Sequence, residues 1–410
     1  MCCVKKWKRE QWIDGVIFLI GFTVYTAVMF LLFYRQVHGS EELYHSDMKA
    51  YILEMLGQNT KYSFPYPIFF KLGALFHLVI QSPELCIALA ATVLNSLSTV
   101  VLKYYMNKSV LAAAAQENTK CRIVKSLVVT AMVFSVFFVS MLYFPNDYIL
   151  PGLRFKYTGV FSPNPFHNAT YMAARPFAIV SFFLFAHILT KYEKETDWKE
   201  NILFGLFLLL TTMTKPSFTF VLVPAAGLIM LYRLLRSKFK TFRQAVCLGV
   251  CFIPTFIALL YQFFGVFGPV EDVERGIGFG IALVWGHYST NLFFSVVLAA
   301  AFPLLVLILH LKEIRKDSVH LFAWQLYLVS FTEALVLYEK GFRKNDFNFS
   351  WGYMHGLFFI FVAGLYVLLK DTFAPKKNKW LLALQWLAYA AHVVCGVWYF
   401  RGIFLGNMYY

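Results

Sequence analysis

Apolar runs of about 20 residues, divided by short polar segments, recur along almost the whole chain, and about 20 is the helix length needed to cross a bilayer's hydrocarbon core. The runs fall at Ile13–Tyr34, Glu84–Tyr105, Arg122–Phe144, Met172–Tyr192, Ile202–Met213, Phe218–Tyr232, Phe242–Val266, Asn291–Leu311, Leu321–Tyr338, Gly352–Lys370 and Trp380–Phe400. The pattern predicts an all-α, polytopic transmembrane bundle of about eleven spans forming a single integral membrane domain over 1–410. The fifth and sixth runs are short and meet at Thr214-Lys215-Pro216-Ser217. That junction predicts a tight hairpin at the membrane surface, with one kinked, buried helix as the alternative. Pro67–Ile80 is also apolar but short, and it carries Lys71 and His77. It is expected to lie as an interfacial helix within a first long loop, 35–83. A second long loop covers 145–171. No internal repeat or low-complexity linker is present.

Charge then orients the bundle. The N-terminal segment and the loops on its side hold 24 of the 37 Lys and Arg; the other loops hold 13, together with 12 of the 22 acids. Basic loops stay on the cytoplasmic face. The N-terminus is therefore expected inside, and the C-terminus and both long loops outside. One inner loop carries Arg233, Arg236, Lys238, Lys240 and Arg243 with no acid among them. The net charge of +15 would suggest nucleic acid in a soluble protein, but here only 14% of residues are charged, against about 25% in soluble domains. The positive charge thus reads as topology and as attraction to anionic membrane lipid, with no nucleic-acid partner. The first apolar run is too long for a signal peptide and lacks a small-residue cleavage pattern, so it is expected to remain as an anchor. The seven Cys show no metal or redox spacing. Cys2 and Cys3 are either acylation sites or plain solvent-facing thiols. No feature of the pattern sets an oligomeric state.

Ionisable residues at the outer ends of the spans are the candidates for chemistry, because charge at the membrane edge is costly unless it is paired or wet. Asp47, in Tyr44-His45-Ser46-Asp47-Met48, follows the first span. It is either a general base acting on an acceptor hydroxyl or the N-cap of a helix over Met48–Gly57; the roles are compatible. In the second loop His167 and Arg175 are placed to meet a phosphate, since Arg makes paired contacts with phosphate oxygens; snorkelling of Arg175 to lipid headgroups is the alternative. Asn168-Ala169-Thr170 matches a glycosylation triplet, a frequent chance match. Lys215, at the turn between the two short spans, is a functional candidate or a snorkelling side chain. Glu333 lies inside the ninth span near its outer end and should face the bundle or a cavity. Arg343 and Lys344 lie outside against the charge bias, to meet a phosphate or to pair with Glu339 and Asp346. Asp272 and Glu274 are candidate ligands for a divalent cation, with a solvated loop face as the plainer reading; no other cofactor is indicated. Gly276-Ile277-Gly278-Phe279-Gly280 has no preceding strand and is not a nucleotide loop.

The early aspartate of the first long outer loop, the interfacial helix after it, and the segments Tyr44–Met48, Pro163–Phe177 and Thr214–Phe218 resemble the GT-C superfamily of polytopic membrane glycosyltransferases in bacteria. The resemblance covers most of the chain in architecture and a few short motifs in sequence. It implies a polyprenyl-phosphate-linked sugar as donor, transfer at the extracytoplasmic face of the cytoplasmic membrane, and inversion at the anomeric carbon. Asp47 would be the base. Arg175, Lys215 and also His167 or Arg343 would hold the leaving phosphate, with His45 and Glu333 as further substrate contacts. Two departures from the family stand out: Asp47 is alone where an acidic pair is frequent, and no soluble outer domain is present. Other expectations for such a chain are a transporter or flippase, a polymerase of lipid-linked saccharides, or a non-catalytic membrane subunit.

Overall fold

The structure, a computed structural model, describes residues 9–60, 64–111, 119–144, 152–267, 276–374 and 378–407. The helices are α1 (Arg9–His38), α2 (Met48–Met55), α3 (Ile68–His77), α4 (Pro83–Met106), α5 (Thr119–Ser135), α6 (Ala169–Lys191), α7 (Trp198–Thr214), α8 (Ser217–Arg236), α9 (Phe242–Val250), α10 (Ile253–Phe267), α11 (Trp285–Tyr288), α12 (Leu292–Leu309), α13 (Leu311–Ile314), α14 (Ser318–Val336), α15 (Ser350–Phe373) and α16 (Lys379–Phe404). Two three-residue strands, β1 (Ile277–Phe279) and β2 (Leu337–Glu339), pair antiparallel.

Among the described residues nine helices are long and apolar enough to cross a membrane: α1, α4, α5 with its short extension to Phe138, α6, α8, α12, α14, α15 and α16. The pair α9 and α10 also qualifies as one segment, bent by 50° at its break. Helix α7 is apolar but has 17 residues. The chain is therefore a multi-pass helical membrane protein. A helix keeps its backbone hydrogen bonds within itself, which suits it to hydrocarbon. Its first N–H groups still need acceptors. The side chains of Ser82, Asn168, Asp197, Asn291, Asp317 and Asn378 accept from them at the starts of α4, α6, α7, α12, α14 and α16.

Helix α15 forms the centre of the bundle. In its most apolar stretch 89% of residues are buried, against 22% for α1, which turns Val16, Leu19, Ile20 and Val24 outward. Lipid tails are as apolar as leucine, so packing shape rather than water exclusion holds such helices together. Phe182 of α6 stacks on Phe359 of α15 with centroids 4.1 Å apart. Gly396 of α16 lies against the Phe138 carbonyl, where a Cβ would collide with backbone. At the end of the bundle away from the 39–82 segment, Asp14 of α1 accepts from Lys103 (2.7 Å), Asn107 (2.8 Å) and Ser126. This paired charge ties α1, α4 and α5.

Several expected boundaries shift. The third run stops being helical at Phe138; residues 139–144 instead cross the bundle, with the Ser140 and Leu142 amides donating to the carbonyls of His392 and Leu298. The ninth run ends at Val336, and Leu337 and Tyr338 enter β2. Its partner β1 is drawn from the glycine-rich stretch at 276–280, which is thus a sheet edge. At Lys215 the backbone is extended and the hydroxyls of Thr212 and Thr219 are 2.7 Å apart. Seven helical residues would span about 10 Å, so the chain reverses there as a tight turn between α7 and α8. The short apolar stretch forms α3, packed on α2 and α4, with Leu75 on its outer face and Leu78 and Val79 just past its end exposed. Cys2, Cys3, Asp272 and Glu274 lie outside the described residues.

Gly396→Ala should lower the thermal midpoint in detergent by several degrees, because overpacking against backbone costs about 1–3 kcal/mol. Gly15→Ala, where the added methyl meets nothing within 4 Å, should leave the midpoint within a degree.

Candidate functional site

The segments before α2 and α6, the α7–α8 turn and the adjoining ends of α14 and α15 meet at one end of the bundle. Asn168 makes the junction. As N-cap of α6, its Oδ1 accepts from the Tyr171 N–H (2.9 Å) and from the Thr170 hydroxyl (2.9 Å). The same oxygen accepts from Lys215 Nζ at 3.1 Å, and Nζ also donates to Thr170 Oγ1 at 3.2 Å. The other side of the amide, Nδ2, donates to Asp47 Oδ2 at 2.6 Å. One buried amide thus joins an aspartate from the first long loop to a lysine from the α7–α8 turn.

The two ends of this bridge differ in environment. Asp47 is exposed and sits at the start of α2, but its side chain makes no cap bond there. Instead Oδ2 accepts from the Tyr51 hydroxyl at 3.2 Å as well as from Asn168. Lys215 is 8% exposed, with Nζ 4.6 Å from the Trp351 ring centre. Its pKa is lowered to about 8, chiefly by burial, with Asp47 opposing the shift and the Arg343 charge adding to it. The tyrosines beside the pair, Tyr51 and Tyr66, are held well above their usual range, first by burial and then by the Asp47 carboxylate, so both stay protonated.

Lys215 opens on a cleft of about 320 Å³ between α8, α10, α14 and α15. Phe64, Tyr66, Phe220 and Trp351 give it an aromatic wall, and Glu333 and Arg343 line the same space. Glu333 has no hydrogen bond or ion pair among the described residues and stands beside Gly352, whose side chain, if present, would approach it. Arg343 is bound by Asp346 (3.1 Å) and Glu339 (3.4 Å), so the local ion pairs weighed from sequence form while the side chain still borders the cleft.

His167 hydrogen-bonds through Nδ1 to the Tyr157 hydroxyl (2.9 Å), which lies 2.6 Å from that of Tyr399. Burial, with His45 and Lys215 adding to it, lowers its pKa to about 4 against the pull of Asp47. At neutral pH it is uncharged and does not supply the cation expected of it. His45 is exposed on the same loop as Asp47. Arg175 requires a correction. It is 1% exposed, donates to Asn164 Oδ1 (2.7 Å) and the Pro163 carbonyl (3.1 Å), and lies over the rings of Tyr171 and Phe358. It neither snorkels nor lines the cleft; it clamps the loop that carries Asn168. Asn168 itself is 3% exposed with both sides of its amide engaged, so the folded chain does not offer it for glycosylation. Asn168, Thr170, Tyr51, Tyr66 and Trp351 are the site residues that sequence reasoning missed. The triplet at 168–170 was their one visible signal, and it pointed to a different chemistry.

Among the described residues no group of three or more His, Cys, Asp or Glu is arranged to hold a metal ion. No protein-family model matches the chain, and no curated protein is similar to it.

A lysine whose folded pKa lies below its unfolded value destabilises the fold below that folded value, and the penalty fades as pH rises toward 10.5. At pH 7 the shift corresponds to about 3 kcal/mol. Lys215→Met leaves Asn168 Oδ1 with its two other donors. It should therefore raise the thermal midpoint at pH 7, by an amount that shrinks between pH 8 and 9.5; a lowered midpoint at pH 7 would contradict the buried-charge assignment.

Proposed function

We propose that this protein is a membrane glycosyltransferase that moves a sugar from a polyprenyl-phosphate donor to an acceptor hydroxyl at the extracytoplasmic face. The carrying observation is the Asn168 bridge, which joins a water-accessible carboxylate to a buried ammonium at the mouth of an aromatic cleft between helices. The topology follows from the charge bias. Reading the nine spanning helices, the bent α9–α10 pair and the shorter α7 as eleven crossings puts the two termini on opposite faces, and the charge bias then favours the N-terminus inside and the C-terminus and the site outside.

The chemistry needs two things that this arrangement offers. The acceptor hydroxyl must lose a proton as its oxygen bonds to the anomeric carbon. Asp47, exposed and oriented by Asn168 and Tyr51, accepts that proton. The bond from the anomeric carbon to the phosphate oxygen breaks in the same step, and its electrons leave with the phosphate. Lys215, charged and desolvated, stabilises the growing negative charge more strongly than a lysine in water would. Attack opposite the leaving phosphate inverts the anomeric centre. Glu333, which has no partner among the described residues, is placed to accept hydrogen bonds from sugar hydroxyls, and the apolar wall suits the first prenyl units. Arg343 lines the cleft and His45 lies on the loop that carries Asp47, and His167, its ring 5.4 Å from that of Trp351, positions Trp351 rather than contacting phosphate.

Asp47→Asn keeps the acceptor atom for Asn168 but removes the base. With purified protein, a panel of polyprenyl-phosphate sugars and mass-spectrometric detection of released polyprenyl phosphate, the variant should lose about 100-fold or more in rate while still unfolding cooperatively, at a midpoint lowered only by the loss of Asp47's support for the Lys215 charge. Full activity in Asp47→Asn would remove the base assignment. Binding of a short-chain polyprenyl phosphate should weaken as pH rises from 7 to 9 through the Lys215 pKa of about 8, and Lys215→Arg, which stays charged, should flatten that dependence.

A further inference from the structure

A second cleft lies at the far end of α8, between it and α14, with a volume of about 780 Å³. Along the 20 residues of α8, this cleft begins at Ala225, about 15 Å from Lys215, and ends at Arg236, about 30 Å from it. Ala225, Leu228 and Ile229 of α8 face Leu321, Leu328 and Val329 of α14 across it. Leu228 and Leu328 are 60% and 58% exposed, so the cleft opens sideways onto the surface that hydrocarbon would cover. Its polar end is formed by Arg233, Arg236 and Ser237.

The two arginines differ. Arg233 donates to the Leu189 carbonyl (2.5 Å) and to Glu193 Oε2 (3.3 Å), and is thereby fixed and largely balanced. Arg236 has no hydrogen bond or ion pair among the described residues and is exposed. Glu193 is the one acid on the wall among the described residues, and the loop after α8 together with the start of α9 carries Lys238, Lys240 and Arg243 with no acid. An apolar trough that opens to lipid and ends in an unbalanced guanidinium matches a molecule with an acyl chain and a negative headgroup. A zwitterionic lipid gains nothing from the excess charge, and free phosphate makes no use of the trough.

We infer that this cleft is a binding site for an anionic diacyl phospholipid, one chain lying between α8 and α14 and the phosphate held by Arg236, with Arg233 as the fixed second donor. Basic pockets between spans at the cytoplasmic end are suited to such headgroups. The inference does not depend on the transferase reading.

The test is the thermal midpoint of the purified full chain in detergent, titrated with dioleoyl phosphatidylglycerol or with dioleoyl phosphatidylcholine. Binding to the folded state raises the midpoint. Phosphatidylglycerol should stabilise and phosphatidylcholine should not. Arg236→Gln should raise the half-effective phosphatidylglycerol concentration about fivefold, as expected for one basic side chain near a headgroup. Leu328→Trp, which narrows the trough, should also weaken the effect, while Arg243→Gln, at the same end but outside the cleft, should not. Equal stabilisation by both lipids, an unchanged response in Arg236→Gln, equal losses in Arg236→Gln and Arg243→Gln, or full protection by inorganic phosphate alone would each overturn the site.

Discussion

An ammonium group withdrawn from water needs protein acceptors, and at Lys215 these are Asn168 and Thr170. The same Asn168 caps α6 and holds Asp47. One side chain therefore starts a helix, accepts a buried charge and orients an exposed one. Much of the surrounding architecture serves to keep it there. Arg175 clamps the loop just before it, Tyr51 and Tyr66 close in on its neighbours, and Trp351 covers the lysine with an aromatic face. A buried lysine with a lowered pKa disfavours the fold at neutral pH. A site that carries such a penalty in a chain of this kind is more readily understood by what it binds than by what it stabilises.

Helix packing accounts for how so polar a site can sit at the end of so apolar a bundle. With α15 buried almost throughout its length, the helices around it are fixed by ring stacking and by glycines that let backbones approach. The ends of α8, α14 and α15 can then splay enough to leave a cleft beside Lys215. The pairing of β1 with β2 ties the loop before α11 to the end of α14 and so limits how far that opening can spread. At the opposite end the Asp14 network holds α1, α4 and α5, so the two polar ends of the molecule act on different helices.

The spans were legible because a run of about 20 apolar residues, repeated many times along one chain, is seldom anything but a membrane-crossing helix. Boundaries were less so where apolar sequence serves something other than a helix. Residues 139–144 and Leu337–Tyr338 are as apolar as the spans they follow, yet their amides bond to other segments, and hydropathy carries no sign of that. Asp47, Lys215 and Glu333 could be picked out because charge at a membrane edge demands a reason. The same rule drew attention to Arg175 but could not say whether it faced lipid, ligand or protein; its acceptors, Asn164 and Pro163, lie on a loop whose path the sequence does not reveal. Asn168 and Thr170 carry no charge, and their role depends on three segments distant in sequence, so no local pattern announces it.

If Lys215 and the cleft beside it hold the phosphate of a membrane-bound donor, that phosphate should be visible there. The most direct measurement is an experimental structure, by electron cryo-microscopy with a bound antibody fragment, of the protein saturated with a short-chain polyprenyl phosphate. The phosphate should lie within hydrogen-bond distance of Lys215 Nζ, with the first prenyl units against Phe220 and Trp351. A phosphate seated elsewhere on the protein, with the cleft free of it, would contradict the assignment of Lys215 and its cleft as the donor site.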